Sequence, residues 1–254
     1  MPERGKTDII NRQSENRGGK TLRPATQKIA RFGLLTALAL VLGLLDRAVP
    51  VSALLGGVVP GIKLGLANTV LLYAVYLMDW QSCVLLMLTK VVLSGLLYGS
   101  LTAILYSLSG GVLSLAVMLL IRKHPDRGAL AAGAMALAAF IWLMIRQPNP
   151  KGQRLIVVIL IALAFIAAFG IWFAIRKGKI NGVMGTSLAG AVAHNIGQVL
   201  MACVVLHSPQ LLITYLPFLI GIGAAVGCLT GIVTDRVLKV LRIHSNSQFK
   251  IHNS

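Results

Sequence analysis

Long apolar runs dominate the 254-residue sequence and decide which folds are open to it. Each run approaches the ~20 apolar residues that an α-helix needs to cross a bilayer. The runs are continuous rather than alternating, so helices, and not strands, would satisfy the backbone in lipid. We therefore predict an all-α integral membrane protein with about eight transmembrane helices. The runs are Ile29–Leu45, Pro60–Met78, Ser82–Tyr98, Leu101–Ile121, Ala129–Ile145, Leu155–Ile175, Val183–Leu206 and Leu211–Val233.

Composition supports this class, because 56% of the residues are hydrophobic and only 12% are charged. A net charge of +17 would suggest nucleic-acid binding in a soluble protein. Here the basic residues lie mainly in the terminal segments and between the apolar runs, so we expect a lipid bilayer and no nucleic acid as partner. Cys83, Cys203 and Cys228 lack CxxC spacing, which favours small buried hydrophobes over a zinc or disulfide framework.

The positions of the 24 Lys and Arg residues predict the orientation. With the N-terminus inside and eight helices, only Arg47, Arg146, Lys151 and Arg154 fall outside, while Lys63 and Lys90 fall within the membrane. All other cations are then cytoplasmic, as the positive-inside rule requires. We predict a multi-pass protein of the bacterial cytoplasmic (inner) membrane with both termini in the cytoplasm. Residues 1–28 would form a disordered basic tail and residues 241–254 a second cytoplasmic tail.

The second apolar run begins with an unusual segment, Pro60-Gly-Ile-Lys63-Leu-Gly65-Leu-Ala-Asn68. A lysine here lies within about one helical turn of the membrane boundary, with a glycine two residues to either side. One interpretation is a snorkelling lysine beside glycines that allow close helix packing. The other is a binding site at the outer end of a short helix, in which Lys63 and Asn68 face a ligand.

Lys90 lies near the middle of the third run, with Ser94 and Tyr98 on the same helical face. A lysine at mid-bilayer costs ~2.5–3.5 kcal/mol on insertion scales, so it should face a cavity or a partner. An anionic ligand, a structural counter-charge such as Asp46 or Asp79, and a neutral buried amine are all open.

The seventh run carries three hydrogen-bonding side chains at mid-helix: His194, Asn195 and Gln198. They suit recognition of a polar group, or they form hydrogen bonds between helices. One histidine with no nearby acid or thiolate is a poor metal site. On the first run, the small-residue pairs Gly33/Ala37 and Ala39/Gly43 either pack within the chain or dock a partner subunit.

Three ordered motifs resemble a known family of small bacterial membrane proteins. They are the Pro60 to Asn68 segment, Leu105-Tyr-Ser-Leu-Ser-Gly-Gly111, and Gly190-Ala-Val-Ala-His194-Asn195-Ile-Gly-Gln198. Together they resemble the Gx transporter family, whose members also carry the label heptaprenyl diphosphate synthase component I. That family is similar to the substrate-binding S components of energy-coupling factor (ECF) vitamin transporters.

The resemblance covers about residues 29–123 and 181–240. It implies an S-component-like core of six helices that binds a small substrate from the outer face. Residues 124–180 depart from the family pattern, because they add a hairpin of two apolar runs between the fourth and fifth core helices. This inserted transmembrane hairpin lacks polar motifs, and it either packs outside the core or contacts a partner.

The label of a synthase component implies a second interpretation, a non-catalytic membrane subunit of polyprenyl diphosphate synthesis. Prenyl chain extension needs aspartate-rich motifs that hold Mg²⁺ on the diphosphate. The sequence has seven Asp and Glu with no DDxxD spacing, and no Walker A pattern for ATP. We therefore expect no catalytic residue, no cofactor and no metal site in this chain.

Two main functions follow as predictions. The first is a substrate-binding or transport subunit for a small polar or anionic solute, working alone or with ECF-type ATPase and scaffold subunits. The second is the membrane component of polyprenyl diphosphate synthase, working with a soluble prenyl synthase. A purely structural subunit without a ligand is a third. The residues predicted to line a substrate site are Lys63, Asn68, Lys90, His194, Asn195 and Gln198.

Overall fold

The computed structural model of the protein describes residues 24–48, 65–98, 101–146, 151–179 and 182–252. Within these ranges the chain is helical and contains no strand, which confirms the predicted all-α class. The described helices are α1 (Pro24–Ala48), α2 (Asn68–Leu77), α3 (Trp80–Tyr98), α4 (Leu101–Ile121), α5 (Pro125–Arg146), α6 (Lys151–Arg176), α7 (Val183–Val205), α8 (Gln210–Thr214) and α9 (Leu216–His252).

Five of the described helices are long and apolar enough to cross a bilayer. Large apolar side chains on them are exposed, including Leu96 and Leu120 at more than three quarters of their surface, as lipid contact requires. These helices support a multi-pass membrane protein, while the count of eight crossings stays a prediction. The spans are Thr26–Asp46, Trp80–Leu97, Leu101–Ile121, Val183–Val205 and Leu216–Val240, and shorter apolar helices cover Asn68–Leu77 and Ala162–Arg176.

Several helix ends differ from those predicted. α1 begins at Pro24, inside the predicted tail, and continues past Leu45 to Ala48. The second helix begins at Asn68 rather than Pro60, although residues 49–64 lie outside the described chain. The last run is broken at Tyr215, because Pro217 has no amide hydrogen to continue the helical ladder of α8. After that break, α9 runs to His252 through most of the predicted C-terminal tail.

Packing divides the chain into residues 1–34 and residues 35–254. The first unit contains the start of α1, where the described side chains of Ile29 and Leu34 are exposed. In the second unit α7 is the central helix, and it packs most extensively against α4 and α9. Its 23-residue span is 67% buried, the highest share among the described spans. Side chains on α7 are therefore the best placed to face other helices.

Glycines allow α9 to lie directly against α7. Gly223, Gly227 and Gly231 follow one another at intervals of four, so they share one face of α9. A Cβ on Gly227 would come within 2.9 Å of Leu188 Cα on α7. The hydroxyl of Ser187 donates to the Gly227 carbonyl at 2.7 Å. Close backbone approach of this kind is the main means by which small residues hold helices together in membranes.

The hairpin formed by α5 and α6 packs against α7 and α9. Alanines on the two hairpin helices form one buried cluster with α7 and α9, so small side chains again mediate the contact. Of the two alternatives for the hairpin, packing against its own chain is therefore observed. The buried members of the cluster are Ala129, Ala132, Ala136, Ala164, Ala168, Ile171, Leu188, Val192, Ile220 and Ala224.

Candidate functional site

Asp46 brings a carboxylate into the interior of the protein. The predicted first run ends at Leu45, just before Asp46, but α1 continues beyond this residue and leaves it only 2% exposed. The Gly65 amide donates to both carboxylate oxygens, at 3.1 and 2.9 Å. Gly65 has a φ of +89°, a conformation that glycine adopts without a steric penalty. Asp46 thus ties the turn before α2 to the end of α1.

His194 lies at mid-α7, and two glycines from distant parts of the chain leave room for its ring. A Cβ on Gly110 in α4 would come within 2.7 Å of His194 Nδ1, and a Cβ on Gly65 within 3.0 Å of its Cδ2. A hydrogen bond joins Gln198 Nε2 to His194 Nε2 one turn further along α7. The ring is therefore held in place by glycines on two sides and by an amide.

Lys90 on α3 is buried, with 8% of its surface exposed. Its ammonium donates to Asn68 Oδ1 at 3.4 Å, at the start of α2. The backbone N–H of Asn68 in turn donates to the Gly65 carbonyl at 2.9 Å. A series of hydrogen bonds thus connects Lys90 to the same turn that Asp46 holds.

One cavity joins these groups. Its lining includes Asp46 from α1, Lys90 and Ser94 from α3, Ser107 from α4 and His194 from α7. The cavity has about 20 Å³ of free volume, which is room for about one water molecule. A carboxylate, an ammonium, an imidazole and two hydroxyls therefore share one small space among apolar helices. This arrangement can both donate hydrogen bonds to a polar group and accept them from it.

Four of the six predicted site residues come together here. Asn68 and Lys90 are hydrogen-bonded to each other, as are His194 and Gln198, and Lys90 and His194 line the same cavity. Lys63 lies outside the described residues. Whether the four bind a substrate stays a prediction, but their assembly from three helices gives it a physical basis.

Asn195 is not brought to this group. Its side-chain amide donates to the Leu219 carbonyl on α9 at 2.6 Å. A Cβ on Gly223 would lie 2.5 Å from Asn195 Nδ2, so the amide fills the space above that glycine. Asn195 therefore forms a hydrogen bond between helices, the alternative that the sequence analysis left open for this segment.

Sequence reasoning missed Asp46 and Ser107 as site residues. Asp46 and Asp79 each follow an apolar run directly, so both were possible counter-charges for Lys90. In the structure Asp79 is exposed and Asp46 is buried beside the cavity. No local signal separates the two, because the difference depends on which helix ends face each other.

A sequence profile of one known family matches residues 35–148 and 144–237. The profile is that of heptaprenyl diphosphate synthase component I. The chain belongs to this family. The match confirms the family that the three motifs predicted. No curated protein and no solved structure matches the chain, and similarity to ECF S components stays a prediction.

In this member of the component I family, the matched ranges contain the whole cavity. Asp46, Lys90 and His194 all lie within residues 35–148 or 144–237. The α5–α6 hairpin lies within them too. The buried polar site is therefore built by the part of the chain that is related to the component I family.

Proposed function

We propose that this chain is the membrane component of a polyprenyl diphosphate synthase of the bacterial cytoplasmic membrane. The family match over residues 35–148 and 144–237 is the observation that carries the proposal. A component I implies at least one further component. Chain extension uses Mg²⁺ held by carboxylates, and the seven acidic residues of this chain form no aspartate-rich motif. A soluble partner would therefore carry out the chemistry.

Within such a complex, we assign the cavity to a small polar group. Lys90 and His194 would hold that group from the lining, with Asn68 and Gln198 hydrogen-bonded to them, and Lys63 is a further candidate from the start of the second run. Asp46 and Lys90 give the lining one negative and one positive charge. That balance suits a ligand with both donors and acceptors better than a diphosphate, which needs several cations. The cavity is thus distinct from the place where a diphosphate is extended.

The polar lining of the same cavity favours a second function, a solute-binding subunit of a transporter, in which the space for about one water molecule would widen to admit the solute. Ionisable residues buried within membrane helices commonly mark substrate pathways, and this cavity is lined by four helices. On this proposal the solute is small and polar or anionic. The partners are ATPase and scaffold subunits, or the chain acts alone.

Purification of the full-length chain in nanodiscs, followed by mass spectrometry of retained molecules and partner chains, separates the two functions. The first predicts a soluble partner with aspartate-rich motifs, and prenyl-transfer activity in the complex that the chain alone lacks. Recovery of an ATPase and scaffold pair together with a polar solute would replace it with the second.

A pair of variants tests the cavity itself. Lys90→Gln should lower the amount of retained ligand, because it removes the buried ammonium from the lining. Lys239→Gln is the matched control, since Lys239 is 54% exposed and pairs with Asp235 at 2.7 Å. If Lys90→Gln and Lys239→Gln retain the same amount of ligand, the cavity is not the binding site.

A further inference from the structure

Two turns at one end of the helix bundle carry a concentration of basic residues. The turn from α4 to α5 and the turn from α6 to α7 lie in contact. Pro125, at the start of α5, is so close to Gly182 and Gly185, at the start of α7, that a Cβ on either glycine would collide with it. The basic residues of these turns and of the adjoining ends of α5 and α6 form the basic rim: Arg122, Lys123, Arg127, Arg176, Lys177 and Lys179. All six side chains are exposed.

The positive charge of the basic rim has little compensation. Asp126, in the first turn of α5, is the one acidic residue among residues 122–127 and 176–182, and in the described chain no ion pair joins it to a rim cation. Arg122 donates to the Val75 carbonyl at 3.0 Å, near the end of α2. The remaining cations extend the charge across both turns. An exposed concentration of like charge attracts anions to the surface.

Aromatic and apolar side chains lie directly next to the basic rim. The Arg176 guanidinium stands 5.4 Å from the centre of the Trp172 ring, and Lys177 Nζ stands 4.3 Å from the centre of Phe173. Tryptophan near a helix end is typical of the membrane–water interface. Phe169 and Ile166 on α6, about one and two turns before Trp172, are more than half exposed. The rim thus adjoins a surface suited to lipid chains.

We propose that the basic rim binds the phosphate-bearing head group of a membrane lipid, whose apolar chain lies along the α5–α6 hairpin. The head group is the phosphate of an anionic phospholipid, and the diphosphate of a prenyl lipid is the alternative that the test distinguishes. Only the prenyl source rests on the proposed function. An acidic protein surface would need the charge alone, whereas the apolar surface beneath the rim favours an amphiphile. The positive-inside rule accounts for the side on which the cations lie, but not for their meeting in two touching turns.

The test uses the full-length chain in nanodiscs of phosphatidylcholine. Farnesyl diphosphate, phosphatidylglycerol and uncharged farnesol are titrated separately, and bound lipid is counted by native mass spectrometry. The rim variant combines Lys123→Gln, Arg127→Gln, Lys177→Gln and Lys179→Gln. Lys239→Gln is the control, because its charge is already paired with Asp235. We expect affinity for the anionic probes to fall by roughly fivefold for each removed charge, with farnesol unaffected.

The lipids that bind more weakly to the rim variant than to the wild type identify the head group. Weaker binding of phosphatidylglycerol, with or without weaker binding of farnesyl diphosphate, supports the proposal, and weaker binding of farnesyl diphosphate alone overturns the phospholipid in favour of a prenyl diphosphate. Equal affinity in the wild type and the rim variant overturns the proposal. If the rim variant loses a soluble partner but binds lipid as well as the wild type does, the proposal is also overturned, and the rim is instead a binding surface for an acidic protein.

Two further results keep this proposal separate from the proposed function. Raising the salt concentration should weaken the binding of anionic lipids to the wild type, because salt screens exposed charges. If the affinity of the wild type does not change with salt, the rim does not bind these lipids by charge. Failure to recover a soluble synthase would instead count against the proposed function and leave phospholipid binding intact.

Discussion

His194 owes its position to residues that have no side chain. The ring occupies space beside Gly110 and Gly65, which lie 84 and 129 residues away along the sequence. Gln198, one turn along the same helix, bonds to the ring nitrogen. Because the glycines shape the site from other segments, their effect on His194 can be tested without changing the histidine itself.

We expect Gly110→Ala to destabilise the protein or to displace the His194 ring. The new Cβ would lie 2.7 Å from His194 Nδ1 and 2.8 Å from the His194 backbone oxygen. Overpacking of this kind costs ~1–3 kcal/mol, so the thermal midpoint in detergent should fall. Gly111→Ala is the neighbouring control, since its Cβ would meet only the flexible Met87 side chain at 3.2 Å. Equal melting temperatures for the two variants would contradict this account.

The charges of Asp46 and Lys90 should be energetically coupled, because both line one buried cavity. Asp46→Asn keeps an oxygen that can accept the Gly65 amide but leaves the ammonium without a carboxylate in the lining. Lys90→Met removes the ammonium. We expect a double-mutant cycle to give a coupling of ~0.5–3 kcal/mol, with the double variant more stable than the two single losses would predict.

The cycle is read from thermal or denaturant unfolding of the four proteins in the same detergent. Asp126→Asn combined with Lys90→Met serves as the control pair, since Asp126 is not among the residues lining the cavity. Strict additivity of Asp46→Asn and Lys90→Met would mean that the two charges do not stabilise each other.

At this scale the sequence predicted which residues are unusual but not where they point. Lys90, His194 and Gln198 stand out as polar groups in apolar runs. His194 and Asn195 are adjacent, yet successive side chains on a helix point about 100° apart, so one faces the cavity and the other α9. That choice depends on the neighbouring helices, which a single segment does not specify.

Among the helices, the apolar runs predicted the interior elements well. The run Leu101–Ile121 has the bounds of α4, and Val183–Leu206 differs from α7 by one residue. The ends of α1 differ because charged residues such as Asp46 are tolerated in a helix where the surrounding structure satisfies them, and the break at Tyr215 arises because Pro217 has no amide hydrogen. The glycine spacing on α9 was a readable signal that the sequence analysis did not use.

Gly227→Ala should weaken the α7–α9 contact. Its Cβ would come within 2.9 Å of the Leu188 backbone, which cannot rotate away as a side chain can. We expect a loss of stability of ~1–3 kcal/mol in a thermal or denaturant unfolding assay. Gly170→Ala on α6 is the control, because its Cβ would meet nothing within 4 Å and alanine favours the helix. A Gly227→Ala protein as stable as Gly170→Ala would show that α9 can shift at little cost.

For the molecule as a whole, two contacts agree with the orientation that the charges predict. Arg122, after α4, bonds to the Val75 carbonyl near the end of α2, and Pro125, at the start of α5, meets Gly182 before α7. The positive-inside rule assigns each of these helix ends to the cytoplasm. The charge count assigned these helix ends to the same side of the membrane, and the two contacts show that they lie together at one end of the bundle.

Single-cysteine labelling tests which side of the membrane this end occupies. In a background without Cys83, Cys203 and Cys228, we expect Ser208→Cys, between α7 and α8, to react with an impermeant maleimide on intact cells. Lys179→Cys in the basic rim should react only after the membrane is opened, because moving a region so rich in cations across the membrane is disfavoured. The reverse pattern would invert the protein and place the rim outside, where a cytoplasmic synthase could not meet a lipid bound there. Labelling of both positions on intact cells would instead mean that α7 does not cross the membrane, against its span of 23 residues.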